Sequence, residues 1–339
     1  MSEKTKFKAY AALKAGEPLQ SWEYEPAPLG KFDIEIQITH NGLCHTDIHM
    51  RDNDWGISSY PLVPGHEVVG IVTQVGEDVT SLIVGDRVGF GWIRDACRHC
   101  DHCLQGEENI CRNGYTGLIL GHHGGFADKL RAPADFAYKI PDALDSASAA
   151  PLLCAGVTVY TPLRTYMTHP GMKVGVIGVG GLGHMAVKFA KAMGAEVTAF
   201  STSPDKEDEA KEFGAHHFQV WKNGEEMKKA NASQELIINT ASSDINWETA
   251  LNLVGNNGTV CLVGVPTSSI TVPVTSLVFG QKSLTGSLVG GRRFMREMLN
   301  FSAVHNITPL LETMPLSQVN EAMNKVAANK ARYRIVLTV

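Results

Sequence analysis

The 339-residue chain has no run of about 18 apolar residues of the kind that spans a bilayer, and its opening stretch, MSEKTKFKAYAALKAGEPLQ, carries no apolar core of leader length. Basic residues do not outnumber acidic ones. With 30 Lys and Arg against 35 Asp and Glu, the formal net charge of -5 excludes the electrostatic footprint of a nucleic-acid binder. Low-complexity segments and internal repeats are missing, and a 44% hydrophobic share is that of a globular chain rather than a disordered one. The expectation is a cytoplasmic globular protein with neither a membrane nor a nucleic-acid partner. Cysteine is sparse as well. Seven is an odd number for a disulfide framework, and in a reducing compartment clustered thiols are better explained as metal ligands.

What is present divides into two grammars, and the length predicts two lobes with a cleft. Up to about residue 150 the chain offers short β-type runs, DIEIQITHNG, HEVVGIVTQVG and DRVGFGW, punctuated by Gly, Pro and Asp. From Met172 apolar runs alternate with amphipathic ones: KVGVIGVG, LGHMAVKFAKAMG, EVTAFS, DKEDEAKEFG, LIINTA, WETALNLVGNNG. That alternation predicts an α/β lobe with a parallel sheet covered on both faces. The last stretch, from RRFMREMLNFSAVHN to ARYRIVLTV, predicts two amphipathic helices and a terminal strand.

Gly178, Gly180 and Gly183 have G-x-G-x-x-G spacing after an apolar strand and at a helix start, with Gly181 and Leu182 between them. The first glycine permits the tight turn, the second lets a pyrophosphate approach the backbone, and the third lets helix and strand pack closely. The free N–H groups of the helix start then face the phosphates. Where an acidic residue would bind the ribose hydroxyls of NAD, the chain reads FSTSPDK. Ser201 takes the acid's position. Hydroxyls from Ser201, Thr202 and Ser203 with the cation Lys206 suit a 2′-phosphate, so NADP(H) is favoured; the alternative is that Asp205 serves the ribose instead.

Cys97, Cys100, Cys103 and Cys111 have the spacing C-x2-C-x2-C-x7-C. Four thiolates close a tetrahedral zinc shell at about 2.3 Å and leave no position for substrate, which makes this a structural site. His99 and His102 are then exposed loop residues. A redox dithiol is disfavoured because no thioredoxin-like βαβ context surrounds the pair. A quieter set is scattered: Cys44 in NGLCHTDIH, His66 with Glu67 in PGHEVVG, and Cys154 in PLLCAGVTVY. Two thiolates and an imidazole leave a fourth position open for chemistry. Singly, each is more readily an ordinary core residue, as Cys261 is in its β-run.

The string G-H-E-x2-G-x5-G-x2-V from Gly65 to Val79, together with GLCHTD, the four-cysteine run, LLCAGVTVY and GVGGLGHMAVKFAKAMG, resembles the zinc-dependent medium-chain alcohol dehydrogenases. The likeness is greatest to the cinnamyl alcohol dehydrogenase-like branch with its bacterial broad-range aldehyde reductases, and it runs over nearly the whole chain. It implies a split GroES-like β-barrel catalytic domain, 1–153 and 289–339, around a Rossmann domain, 154–288. It also implies catalytic zinc on Cys44, His66 and Cys154, with Glu67 able to approach the metal, and structural zinc on Cys97, Cys100, Cys103 and Cys111. Asp47 corresponds to the carboxylate that orients the ligating histidine, Thr46 to the hydroxyl on the substrate oxygen, and His49 to the solvent end of the proton relay. His45 and Thr158 correspond to cofactor contacts, and Thr240, Gly264 and a strand Ser287, Leu288, Val289 to the nicotinamide side. Relatives of this kind are homodimers or homotetramers, and SLVFGQKSLTGS falls where their Rossmann sheets pair edge to edge.

Two departures stand out. Arg98 follows the first structural cysteine where the family often has Gly, and the loop RNGYTGLILGHHGG is shorter than in many plant relatives, so a strict cinnamaldehyde preference does not transfer. For the apolar end of an aldehyde, Trp55, Ile57, Trp92 and Leu288 are the pocket candidates. The resulting expectation is a zinc- and NADP(H)-dependent aldehyde reductase and primary alcohol dehydrogenase. An NAD-linked alcohol dehydrogenase and a non-catalytic nucleotide- and zinc-binding protein are the alternatives.

Overall fold

A computed structural model describes residues 5–222, 224–241, 244–265 and 269–339. They form two compact units, 1–154 with 290–339, and 155–289.

The first unit is built on one long strand, Asp33–Leu43, where Ile34, Ile36 and Ile38 alternate inward at no more than 1% exposure. Period-2 patterning buries one face. Antiparallel partners surround it: Glu67–Val75, Lys129–Pro133 and the terminal strand Arg334–Thr338, the last paired Ile335 to Leu43. Arg87–Phe90 and Tyr138–Lys139 extend the sheet at one end, and Leu311–Pro315 at the other. That last strand, parallel to Arg334–Thr338, lies between the two anticipated helices and has no counterpart in the sequence expectation. The helices are there. Arg292–His305 buries Phe294, Met295, Met298, Leu299 and Ser302, and Val319–Ala327 buries Val319, Ala322, Met323 and Val326, both at helical spacing.

The second unit is a six-stranded, all-parallel sheet. Its order is 217–220, 196–201, 173–177, 234–239, 254–262, 283–286, so the first strand in the chain is third in space and the order reverses beside it. This is the doubly wound dinucleotide-binding topology, with its switch point at the carboxyl end of the strand Lys173–Ile177. Ser287, Leu288 and Val289, expected on a strand, lie past the end of the strand Ser283–Gly286. A helical stretch over 146–166 is long and apolar enough to cross a membrane, but 89% of its window is buried, which makes it a core helix.

Candidate metal centres and nucleotide site

Three segments of the first unit bring the scattered set together. Cys44 closes the strand Asp33–Leu43 and stands at the N-cap of the helix His45–Asp52. His66 and Glu67 open the strand Glu67–Val75 after Gly65, whose φ of +97° and whose closeness to the Phe126 backbone exclude a side chain. Cys154 lies in a π-helical turn, Leu152–Gly156, that follows Pro151 inside the helix. One ligand atom from each of Cys44, His66, Glu67 and Cys154 lies within 4.8 Å of the others.

Asp47 organises the group. Its Oδ2 accepts the Cys44 N–H at 3.0 Å, while Oδ1 accepts the Gly65 N–H at 2.9 Å and lies 2.9 Å from His66 Nδ1. That contact leaves His66 Nε2 facing the cluster, 3.3 Å from Cys154 Sγ. Burial opposes charging the His66 imidazole, yet the Asp47 carboxylate holds it well above the ordinary histidine range. Hydrogen bonding from Cys154 and His66 holds the Cys44 thiol well down, and the same contact with Cys44, aided by burial, pushes the Cys154 thiol well up. Each thiol thus opposes the other's ionisation, a repulsion that a cation among them would relieve. Burial lifts the Glu67 carboxyl to about 7 against the pull of Arg334, which bonds its Oε1. Glu67 Oε2 is buried without a partner among the described residues. Two thiols, an oriented imidazole and a buried carboxyl with one unpartnered oxygen form a donor set that fits a divalent metal.

The four clustered cysteines also converge, with one ligand atom from each within 4.8 Å of the others and no disulfide among them. Cys97 Sγ stands 3.8 Å from Cys103 Sγ and Cys100 Sγ 3.9 Å from Cys111 Sγ. A tetrahedron with bonds of about 2.3 Å has edges of about 3.8 Å, so the spacing fits one zinc. Backbone N–H groups of Cys103 and Arg112 lower the Cys100 thiol to about 6, and burial raises Cys103 to about 12. His99 is exposed. His102, expected in an exposed loop, instead sits half-buried on the short helix Asp101–Leu104, 3.4 Å from Glu107.

In the second unit Gly178 has φ +88°, and a Cβ at Gly183 would collide with the Gly178 carbonyl. The glycine turn therefore packs directly under the helix Gly183–Ala192. The Thr240 hydroxyl lies 3.0 and 2.9 Å from the carbonyls of Ile177 and Gly178 and so braces the turn. Gly264 N–H reaches the Asn239 carbonyl beside it at 3.3 Å. Ser201 ends the strand Glu196–Ser201 with a buried hydroxyl that accepts the Ser203 N–H at 3.1 Å. Thr202 is exposed, and Lys206 Nζ donates to the Val179 carbonyl of the glycine turn at 2.7 Å. Thr158 is buried.

Residues 30–142 match the family model for the alcohol dehydrogenase GroES-like domain, and residues 181–303 that for the zinc-binding dehydrogenases. An aldehyde reductase of Synechocystis is 43% identical over 98% of both chains. A cinnamyl alcohol dehydrogenase from Sorghum bicolor superposes with a TM-score of 0.95 at 40% identity over 98% of both chains. The CAD from Helicobacter pylori complexed with NADP(H) follows at 0.92, with 31% identity and 99% coverage of both. The chain belongs to the zinc-binding alcohol dehydrogenases, in the cinnamyl alcohol dehydrogenase-like branch.

Some of what surrounds the first centre of this dehydrogenase escaped the sequence reading. Arg334, 290 residues from Cys44, is the buried partner of Glu67. Asp54 lies 2.6 Å from His49 Nδ1, five residues on and just past the helix end, and the Trp55 ring lies 4.9 Å from the His49 ring, tilted by 38°. Thr46 Oγ1 is 3.7 Å from Cys44 Sγ. Trp55 and Trp92 pack on an apolar cluster of Met50, Leu62 and Ile119, joined by Leu120, and Trp92 stands edge-on to His66 at 5.4 Å. Ile57 is not brought into that cluster and is 53% exposed; Leu288, in the second unit, is 42% exposed. Burial pushes the His45 imidazole down.

Arg98 adopts φ +66°, the left-handed conformation that glycine tolerates without cost. Its guanidinium offsets the strain by reaching Asp95 at 2.8 Å and Asp135 at 3.0 Å, with the Phe136 ring 5.8 Å away. Arg98→Ala removes those contacts and keeps the strain, whereas Arg98→Gly removes both. The alanine variant should therefore be the less stable by about 1 kcal/mol in urea unfolding and should yield zinc sooner to a chelator. Equal losses in the two variants would refute the strain argument.

Proposed function

We propose that this dehydrogenase reduces apolar aldehydes to primary alcohols with NADPH, holding a catalytic zinc on Cys44, His66 and Cys154 and a structural zinc on Cys97, Cys100, Cys103 and Cys111. The observation that carries the reading is the donor group gathered around the buried Asp47 carboxylate, with Glu67 Oε2 unpartnered among the described residues. When bound, zinc supplies a Lewis acid for the carbonyl oxygen and NADPH supplies the hydride.

The chain's own residues do the rest. Asp47 fixes which nitrogen of His66 faces the donor group. Thr46 and His49 stand three residues apart on the helix His45–Asp52, hence on one face. The Thr46 hydroxyl passes a proton to the product oxygen, and the half-exposed His49 exchanges protons with water. Asp54 holds His49 Nδ1, which leaves Nε2 for that exchange. The tryptophan-lined cluster beside His66 excludes water and favours an apolar substrate.

For the cofactor, the strand Glu196–Ser201 ends without a carboxylate, and Lys206 lies against the glycine turn. Both favour a 2′-phosphate, and the Helicobacter pylori relative solved with NADP(H) supports the same choice. A second copy of the chain is the proposed cover for the edge strand Ser283–Gly286. Nothing pairs its outer side among the described residues, and Val274, Val278 and Phe279 just before it are 70%, 60% and 84% exposed.

Three measurements test this. Metal analysis should find about two zinc per chain; Cys44→Ser should cut turnover by more than about a hundredfold in a folded protein, whereas Cys100→Ser should lower thermal stability first. One zinc and no turnover would make it a binding protein. The ratio kcat/KM for NADPH over NADH should exceed about tenfold and collapse in Lys206→Ala through KM for NADPH; a preference for NADH sinks the cofactor assignment. Phe279→Asp should reduce the sedimenting species to a monomer, and an unchanged oligomer would move the interface elsewhere.

A further inference from the structure

Trp92 and Tyr115 lie on the two arms that carry the four-cysteine lobe. Trp92 precedes the strand Ile93–Ala96, Tyr115 opens the strand Tyr115–Gly117, and these pair antiparallel with Ala96 opposite Tyr115. Cys97 to Cys111 fall between the arms. Leu118 N–H bonds the Trp92 carbonyl at 2.8 Å, which sets the Trp92 backbone. Its ring has a separate tie: Trp92 Nε1 donates to Tyr115 Oη at 3.0 Å. The tied indole stands at 89° to the His66 imidazole, with 5.4 Å between ring centroids. Trp55, on the same apolar cluster, provides the contrast, because its Nε1 is buried with no acceptor among the described residues, so packing sets that ring.

We propose that Tyr115 is a positioning residue for the substrate wall: its hydroxyl locks the Trp92 indole in one orientation beside His66, and thereby tunes the site toward aldehydes that carry an aromatic ring. The role rests on the aldehyde-reductase reading above. An indole pinned at its N–H presents a fixed face and edge, and aromatic partners prefer offset or edge-to-face geometry at centroid separations of about 4.5–7 Å. A ring-bearing substrate therefore depends on the orientation of this wall, and a short aliphatic one depends mainly on its volume. The same bond links the wall to the cysteine lobe, since Tyr115 follows Cys111 by four residues on the returning arm.

The test is a double-mutant cycle on the zinc-loaded enzyme, with benzaldehyde and propanal as substrates and near-UV circular dichroism as a second readout. In Tyr115→Phe, KM for benzaldehyde should rise about five- to tenfold, while kcat and KM for propanal change by less than about twofold. The tryptophan bands of the near-UV spectrum should weaken as the ring is released. Because Trp92→Phe already removes the donor, adding Tyr115→Phe to it should change nothing further. Additive losses, or equal effects on both aldehydes, overturn the proposal. An unchanged near-UV spectrum in Tyr115→Phe overturns the lock by itself. A changed spectrum with no effect of Trp92→Phe on either KM refutes the wall and the positioning role together, while leaving intact an aldehyde reductase whose pocket lies elsewhere.

Discussion

The hydrogen bonds of the Asp47 carboxylate are the interaction on which the arrangement of the first unit's donor group depends. A fully buried charge is costly unless its oxygens are satisfied, and here three groups from two segments satisfy it: the Cys44 N–H, the Gly65 N–H and the His66 ring. Each bond sets something different. The first caps the helix that carries Thr46 and His49, the second holds the turn between Pro64 and His66, and the third selects the His66 nitrogen that meets the sulfurs. Glycines allow the approach. A side chain at Gly42 would occupy the space of the Glu67 carboxylate, and one at Gly65 would strike Phe126 and Asn41.

Behind that layer, the buried Glu67–Arg334 pair joins the strand that opens at Glu67 to the last strand of the chain. A buried pair of this kind contributes little net stability, because desolvation consumes most of the attraction, but removing one partner leaves an uncompensated charge. Its consequence is positional: one Glu67 oxygen is held by the guanidinium, and the other, beside Gly42, is left without a partner among the described residues. The four-cysteine lobe works differently. It presents sulfur pairs spaced for a closed shell on a two-stranded arm, and Glu108 fastens it by accepting the Arg292 N–H and Nε, each at 2.7 Å, at the start of the helix Arg292–His305. The two donor sets thus differ in chemistry, four sulfurs in one and two sulfurs, an imidazole and a carboxyl in the other.

The second unit shows how little side-chain chemistry a dinucleotide turn needs. Its glycines make room, and Thr240 supplies the brace by placing one hydroxyl between two carbonyls of the turn. Near the turn stand the exposed Thr202 and the ammonium of Lys206, which donates to the Val179 carbonyl, and the strand's last residue is Ser201 rather than an acid.

Much of this was legible in the amino-acid sequence because it is local. Glycine spacing after an apolar strand, four cysteines within fifteen residues and the switch from period-2 runs to alternating strands and helices follow from chain geometry over a few residues. Arg98 was visible as a departure, but its compensation by Asp95, Asp135 and Phe136 was not. The scattered donors were found only through resemblance, since no spacing rule joins Cys44 to a cysteine 110 residues later. Arg334, Asp54 and Tyr115 gave no local signal: an arginine near a terminus, an aspartate past a helix end and a tyrosine opening a short strand are ordinary until packing supplies Glu67, His49 and Trp92 as partners. Most of the elements, the glycine turn and the clustered sulfur site could be read from the amino-acid order alone, because their causes lie within a few residues of one another; the strand Leu311–Pro315 could not. Which nitrogen His66 presents, which Glu67 oxygen Arg334 binds and which way Trp92 faces came from the packed chain, because burial and hydrogen-bond partners from distant segments set those orientations.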